Sequence, residues 1–151
     1  MTELADPSDP EAAALLDRLS GELQARYGSD GRASFGTWDA RDSRHIFVLA
    51  RKDGRAVGCG AVRPIDAATG EVKRMYSLEP GIGTGTEILR RLCAEAAERG
   101  YGRLWLETRK ANRRAIAFYE GFGFRSRDNF GGYIGRDECI CFELELAERA
   151  P

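Results

Sequence analysis

One histidine, His45, and four cysteines are all that the 151-residue chain offers for soft metal ligation. Cys59, Cys93, Cys139 and Cys141 show no metal-ligand spacing, and a lone imidazole does not complete a typical zinc site, so no metal centre is expected. Cys139 and Cys141 stand two apart, as same-face neighbours on a strand would, and all four are read as reduced, buried small side chains. The formal net charge is only −1, so no whole-molecule field draws the chain to nucleic acid or to an anionic membrane. No apolar run approaches the length that spans a bilayer. The acidic start, Met1 to Pro10, lacks the basic residues and apolar run of a signal peptide, and a cytoplasmic location is expected. Repeats and low-complexity linkers are also missing, which leaves a single domain over residues 1–151.

The residues that are present suit an ordinary packed domain, with 42% hydrophobic and 31% charged. Asp9-Pro10 opens a helix with a capping side chain and a proline at the first helical position. Ala12, Leu16, Leu19, Leu23 and Tyr27 then recur at helical spacing up to Gly28. Ser29 to Arg44 is polar and reads as irregular or as a short helix. Ile46 to Ala50 and Ala56 to Arg63 flank Asp53-Gly54, a strong hairpin signal. Thr69-Gly70 turns the chain into a third strand, Glu71 to Leu78, which completes an antiparallel meander. A helix follows from Thr84 to Gly100, then a strand from Arg103 to Thr108 and a short helix from Asn112 to Glu120 that ends at Gly121. Phe124 to Asp128 and Cys139 to Leu146 are the last strands. This order predicts an α/β (α+β) fold: a mixed, mostly antiparallel sheet flanked by helices, with a central strand–helix–strand crossover.

The most informative segment is Pro80-Gly81-Ile82-Gly83-Thr84-Gly85-Thr86-Glu87, between a strand and a helix. Three glycines on alternate positions let the backbone approach a ligand closely and turn its N–H groups toward it. Thr84 and Glu87 match the S/T-x-x-E capping box, and the first turn of the helix offers unpaired donors at the positive end of the dipole. Together these suit a phosphate group. Arg90, Arg91, Arg99, Arg103, Arg109, Lys110, Arg113 and Arg114 lie downstream; a solvated helical face explains most of them, and a phosphorylated ligand gives some of them a second use. The Gly-Lys-Ser/Thr of a Walker loop is absent. A dinucleotide fingerprint fails at its third glycine, and Glu71, Lys73 and Arg74 make the preceding strand too charged for the buried centre of a parallel sheet.

Taken with Glu71-Val-Lys-Arg-Met-Tyr-Ser-Leu-Glu-Pro80, Leu104-Trp-Leu-Glu-Thr108 and Asn112-Arg-Arg-Ala-Ile-Ala-Phe-Tyr119-Glu-Gly-Phe-Gly-Phe124, the loop resembles the GNAT superfamily of acetyl-CoA-dependent N-acetyltransferases. Three departures stand out. Pro80 occupies the position of the family's Arg/Gln, the turn after Tyr76 is about two residues shorter than is usual in the family, and the N-terminal first strand common in the family is missing or short before Asp6.

The resemblance implies a cytoplasmic enzyme that moves an acetyl group from acetyl-CoA to a primary amine of a small molecule by direct attack in a ternary complex, with no metal. Backbone groups of Met75, Tyr76 and Ser77 would meet the pantetheine arm and an oxyanion, and Gly81, Ile82, Gly83, Thr84, Gly85 and Thr86 would hold the pyrophosphate. Asn112 matches a cofactor-contacting residue of the family; a helix N-cap explains it equally. Tyr119 matches the family's general acid, with core packing as the alternative. Glu71 is the first choice for the base, against a solvated strand-end charge, with Glu79 and Glu107 in reserve. His45 is read as structural. Arg63, Tyr133 and Arg136 are candidate acceptor contacts, and two arginines would suit an amino-acid-like acceptor bearing a carboxylate. A homodimer is a further expectation from the family. A non-catalytic acyl-CoA-binding regulator and a dinucleotide-binding oxidoreductase are the competing functions.

Overall fold

A computed structural model describes residues 1–29, 38–39 and 41–146 of the chain. The order is β1 (Thr2–Leu4), α1 (Pro10–Tyr27), β2 (Ile46–Lys52), β3 (Arg55–Pro64), β4 (Thr69–Ser77), α2 (Thr84–Glu98), β5 (Arg103–Arg109), α3 (Arg113–Phe122), β6 (Arg125–Arg127) and β7 (Cys139–Glu145). A 3₁₀ turn, Gly131–Tyr133, precedes β7. The strands form one sheet in the order β1-β2-β3-β4-β5-β7-β6. Among the described residues only β4 and β5 are parallel, and every other pair is antiparallel. The mixed sheet with one crossover is therefore as the element order predicts, and most boundaries shift by a residue or two. Of Ser29 to Arg44, residues 30–37 and 40 lie outside the described residues.

Both faces of the sheet are covered, which explains the uninterrupted apolar run in β2. Ile46, Val48 and Ala50 pack with Ile88, Leu89 and Leu92 of α2. Phe47 and Leu49 face the other way, against Ala12, Leu15 and Leu19 of α1. Each such fully buried aliphatic or aromatic side chain contributes about 1.5–3 kcal/mol. Between β2 and β3 the chain turns at Asp53 (φ 53°) and Gly54 (φ 77°), the paired positive φ values of a two-residue hairpin.

The first strand is present and short: Thr2–Leu4 pairs with Val48–Ala50 along the edge of β2. Three expectations need correcting. The third helix runs through Gly121 and stops at Gly123, because Phe122 still has core to pack against. Asp9 does stand at the N-cap of α1, but its carboxylate accepts from the Asp6 N–H at 3.3 Å rather than from the helix. The charged strand is the central one. In β4, Glu71, Lys73 and Arg74 are all buried, since each finds a partner inside the fold.

Candidate active site

Strands β4 and β5 pair only at Thr69–Arg103, Gly70–Leu104 and Glu71–Trp105. Beyond that point Val72 to Ser77 continue along β3 alone, while Leu106 to Arg109 continue along β7. The sheet thus opens into a cleft at its middle, and the residues at the point of separation line it.

On the α1 side the floor of this cleft is a buried charged cluster. Glu71 Oε1 accepts from Arg63 Nε at 3.1 Å and Nη2 at 3.0 Å. Its Oε2 accepts from the Tyr133 hydroxyl at 2.9 Å and from Lys73 Nζ at 3.4 Å. Lys73 Nζ also donates to the Tyr133 oxygen at 2.8 Å. Burial pulls the Lys73 ammonium below its usual range, against the attraction of Glu71 and, more weakly, of Glu107; repulsion from Arg63 adds to the fall. On β5, Glu107 lies beside the Cys139 thiol, and burial together with that carboxylate pushes the thiol up to about 11. Cys59, Cys93, Cys139 and Cys141 are all free and buried.

The helical side supplies Tyr119, buried on α3 between Phe118 and Phe124, with ring centroids at 5.1 and 5.6 Å. Its hydroxyl has no hydrogen-bond partner among the described residues. Burial, and then the charge of Glu107, push the phenol above its ordinary value, so Tyr119 stays protonated.

A bulge interrupts β4 beside the opening. Cys59 faces Tyr76 and Ala61 faces Lys73, so Gly60 stands opposite both Arg74 and Met75. The extra residue breaks the alternation of faces. Lys73 and Arg74 both project toward the α1 side, Met75 then packs against the α2 core, and Tyr76 returns to α1.

At the end of β4 lies the glycine loop. Gly81 (φ 90°) and Gly83 (φ 88°) adopt the left-handed backbone that other residues rarely take. Gly83, not Thr84, is the N-cap of α2, so the expected capping box is not formed: Thr84 is the first helical residue, and among the described residues no side chain caps the helix. The first-turn N–H groups are therefore left for another partner. Gly85 permits close packing, since a Cβ there would lie 3.2 Å from the Phe118 ring. Arg114 reaches the loop, with Nη2 3.4 Å from where a Cβ on Gly81 would stand.

A sheet that opens between its two parallel strands, a bulged strand leading to a glycine loop, and the dipole of α2 starting at that loop leave a cleft whose loop end suits a phosphate group. The family model described as "Acetyltransferase (GNAT) family" matches residues 12–124. The chain belongs to the GNAT family. Its similarity to the IAA acetyltransferase of Azospirillum brasilense is 39% identity over 121 residues, 78% of this chain and 77% of that one. A solved Klebsiella pneumoniae structure described as an acyl-CoA N-acyltransferase superposes with a TM-score of 0.82 at 28% identity, over 97% of each chain. A GNAT family acetyltransferase from Elizabethkingia anophelis with acetyl-CoA bound shares the fold, with a TM-score of 0.69 and 19% identity over 96% of this chain and 97% of that one.

Within this GNAT fold, Glu71, Arg63 and Tyr133 come together directly. Arg136 does not join them: it is exposed and pairs with Glu138 at 2.7 Å. Asn112 caps α3, accepting from the Ala115 N–H at 3.1 Å. The Met75 and Tyr76 side chains are both used in packing. Glu79 is exposed beyond β4. His45 stacks on Trp38 at 5.0 Å and bonds to the Asp39 backbone. Sequence reasoning passed over Lys73, whose spacing of two from Glu71 marks the same strand face. It also gave no site role to Arg74, and it named Arg114 only within the basic cluster downstream of the loop. Among the described residues no cluster is placed to hold a metal ion, and no helix is long and apolar enough to cross a membrane.

Proposed function

We propose that this GNAT acetyltransferase moves the acetyl group of acetyl-CoA to a primary amine of a small molecule by direct attack within a ternary complex. The observation that carries this is the cleft between β4 and β5, with the uncapped start of α2 at one end and buried Tyr119 and Glu71 on its two sides. Similarity to relatives named as acetyltransferases supports the choice of reaction.

In this scheme the backbone of Gly81 to Thr86 and the first turn of α2 hold the pyrophosphate, with Arg114 beside them. The Met75, Tyr76 and Ser77 backbone lies along the pantetheine arm, and Asn112 borders it from the start of α3. Tyr119 donates its proton to the departing thiolate, and burial keeps that proton in place until it is needed. Both oxygens of Glu71 already accept hydrogen bonds, so it takes the amine proton through an intervening water; Glu107 is the rival acceptor across the cleft. Tyr133 and Arg63 border the acceptor. Arg136 stands further out, where it suits a carboxylate of an amino-acid-like acceptor.

Thiol release over a panel of amines, amino acids and peptide N-termini tests the reaction, and titration with acetyl-CoA and with NAD tests the cofactor. Turnover with a small amine and binding of acetyl-CoA alone are expected. Binding without turnover on any amine would point to a regulator instead, and NAD binding would sink the cofactor assignment.

A further inference from the structure

The bulge in β4 is held open by a residue that ordinarily avoids such a backbone. Arg74 has φ 58° in the middle of a strand, a conformation that costs a non-glycine residue free energy and persists only where its surroundings enforce it. Its side chain shows what enforces it. The guanidinium is buried against α1, where Nη2 donates to Ser20 Oγ at 2.5 Å and to the Leu16 carbonyl at 3.2 Å. Ser20 is 2% exposed, a polar residue on the core face of an otherwise apolar helix stripe. The Arg74 carbonyl accepts from the Cys59 thiol at 3.4 Å, and two residues on the Tyr76 hydroxyl donates to Glu22 of α1 at 2.9 Å.

We infer that Arg74 is a positioning residue: its bond to Ser20 makes α1 the clamp that holds the β4 bulge, and so the backbone at Met75 and Tyr76, in working geometry. This rests on the acetyl-transfer scheme above, in which that backbone meets the thioester. A donor that stabilises a developing oxyanion must be aimed in advance, because its contribution falls steeply with misalignment. The clamp supplies that aim from outside the cleft. The bonds from the Arg74 guanidinium to Ser20 and Leu16 run to α1, so the affinity for coenzyme A itself is left to the loop.

Three variants separate this role from general stability. Ser20→Ala removes the shortest of the Arg74 bonds to α1 without touching β4. Arg74→Ala removes the clamp and leaves a Cβ at positive φ. Arg74→Gly removes it but frees the backbone to keep that φ. The expected result, with folded protein well below its melting temperature, is kcat reduced at least about threefold in Ser20→Ala and at least about tenfold in Arg74→Ala. Arg74→Gly should recover part of that loss, and the Kd for coenzyme A should stay within about twofold throughout. Faster amide hydrogen exchange across Val72–Leu78 in Ser20→Ala is the companion readout, and it needs no turnover. Wild-type kcat and wild-type exchange in Ser20→Ala overturn the proposal, as does a kcat loss in Arg74→Ala that Arg74→Gly matches in full. If Arg74→Ala does not fold, Ser20→Ala decides alone. Absence of turnover in the wild-type chain overturns the acetyl-transfer scheme instead, and the exchange measurement still tests the clamp.

Discussion

The hydroxyl of Tyr133 donates a hydrogen bond to Glu71 Oε2 at 2.9 Å, joining the turn before β7 to the central strand β4. Because Lys73 Nζ donates to the same hydroxyl at 2.8 Å, Tyr133 bridges both charges on the cleft floor. Tyr133→Phe should therefore raise KM for the amine about tenfold and leave acetyl-CoA affinity unchanged. Steady-state kinetics with the amine varied checks this; an unaltered amine KM would remove Tyr133 from the acceptor site. Glu71→Gln should cost stability as well, about 3 kcal/mol by urea denaturation, because Arg63 and Lys73 would then lose their shared buried anion.

Tyr119→Phe should lower kcat about 100-fold with little change in acetyl-CoA affinity, since only the proton donor is lost. The pH dependence gives a second check. Burial and Glu107 raise the phenol above its ordinary value near 10, so the protonated form persists at every pH below that value. The wild-type kcat should accordingly show no alkaline decline attributable to Tyr119 below about pH 10. A fall near pH 8 that vanishes in Tyr119→Phe would contradict the assignment.

Gly83→Ala places a Cβ where φ is 88° at the N-cap of α2. No neighbour blocks that Cβ, so the effect is conformational: about 1–2 kcal/mol of strain, or a shift of the loop. The Kd for coenzyme A should rise about tenfold while kcat at saturating cofactor changes little. Isothermal titration measures this directly, and an unchanged Kd would separate the loop from the pyrophosphate.

Glu95 accepts from Arg99 at 2.5 Å and from Arg91 at 3.2 Å, and these arginines reach on to the Ser43 and Thr2 carbonyls, tying α2 to β1 and to the entry of β2. Burial alone would raise its carboxyl, but the two guanidiniums outweigh burial and the net shift is downward. A lowered folded value means that the contribution is present above the unfolded value of about 4.5 and fades as pH falls through the folded one. Glu95→Gln should lose about 1 kcal/mol at pH 7, discounted for the partly exposed arginines. It should also show a shallower loss of stability in acid than the wild type. Urea midpoints at pH 7 and pH 4 measure both effects, and equal midpoints for variant and wild type at pH 7 would refute the contribution.

The sequence by itself determined the order of the elements from α1 to β7 and the glycine loop, because these depend on neighbours along the chain. Apolar spacing marks α1 and α2, Asp53-Gly54 fixes a hairpin, and alternating glycines before an apolar helix announce a turn that exposes N–H groups. Local signals failed where two choices were locally equivalent. Thr84 and Gly83 can each begin α2, and the left-handed φ of Gly83 decides between them. The tertiary structure alone decided the fate of the charges in β4. A bulge is a property of two paired strands, so the pattern along β4 could not show that Lys73 and Arg74 share a side. Nor could it show that Tyr133, 62 residues away, would satisfy Glu71. Burying a charge costs several kcal/mol unless partners meet it, and those partners come from β3, α1 and the turn before β7, which only folding brings to one place.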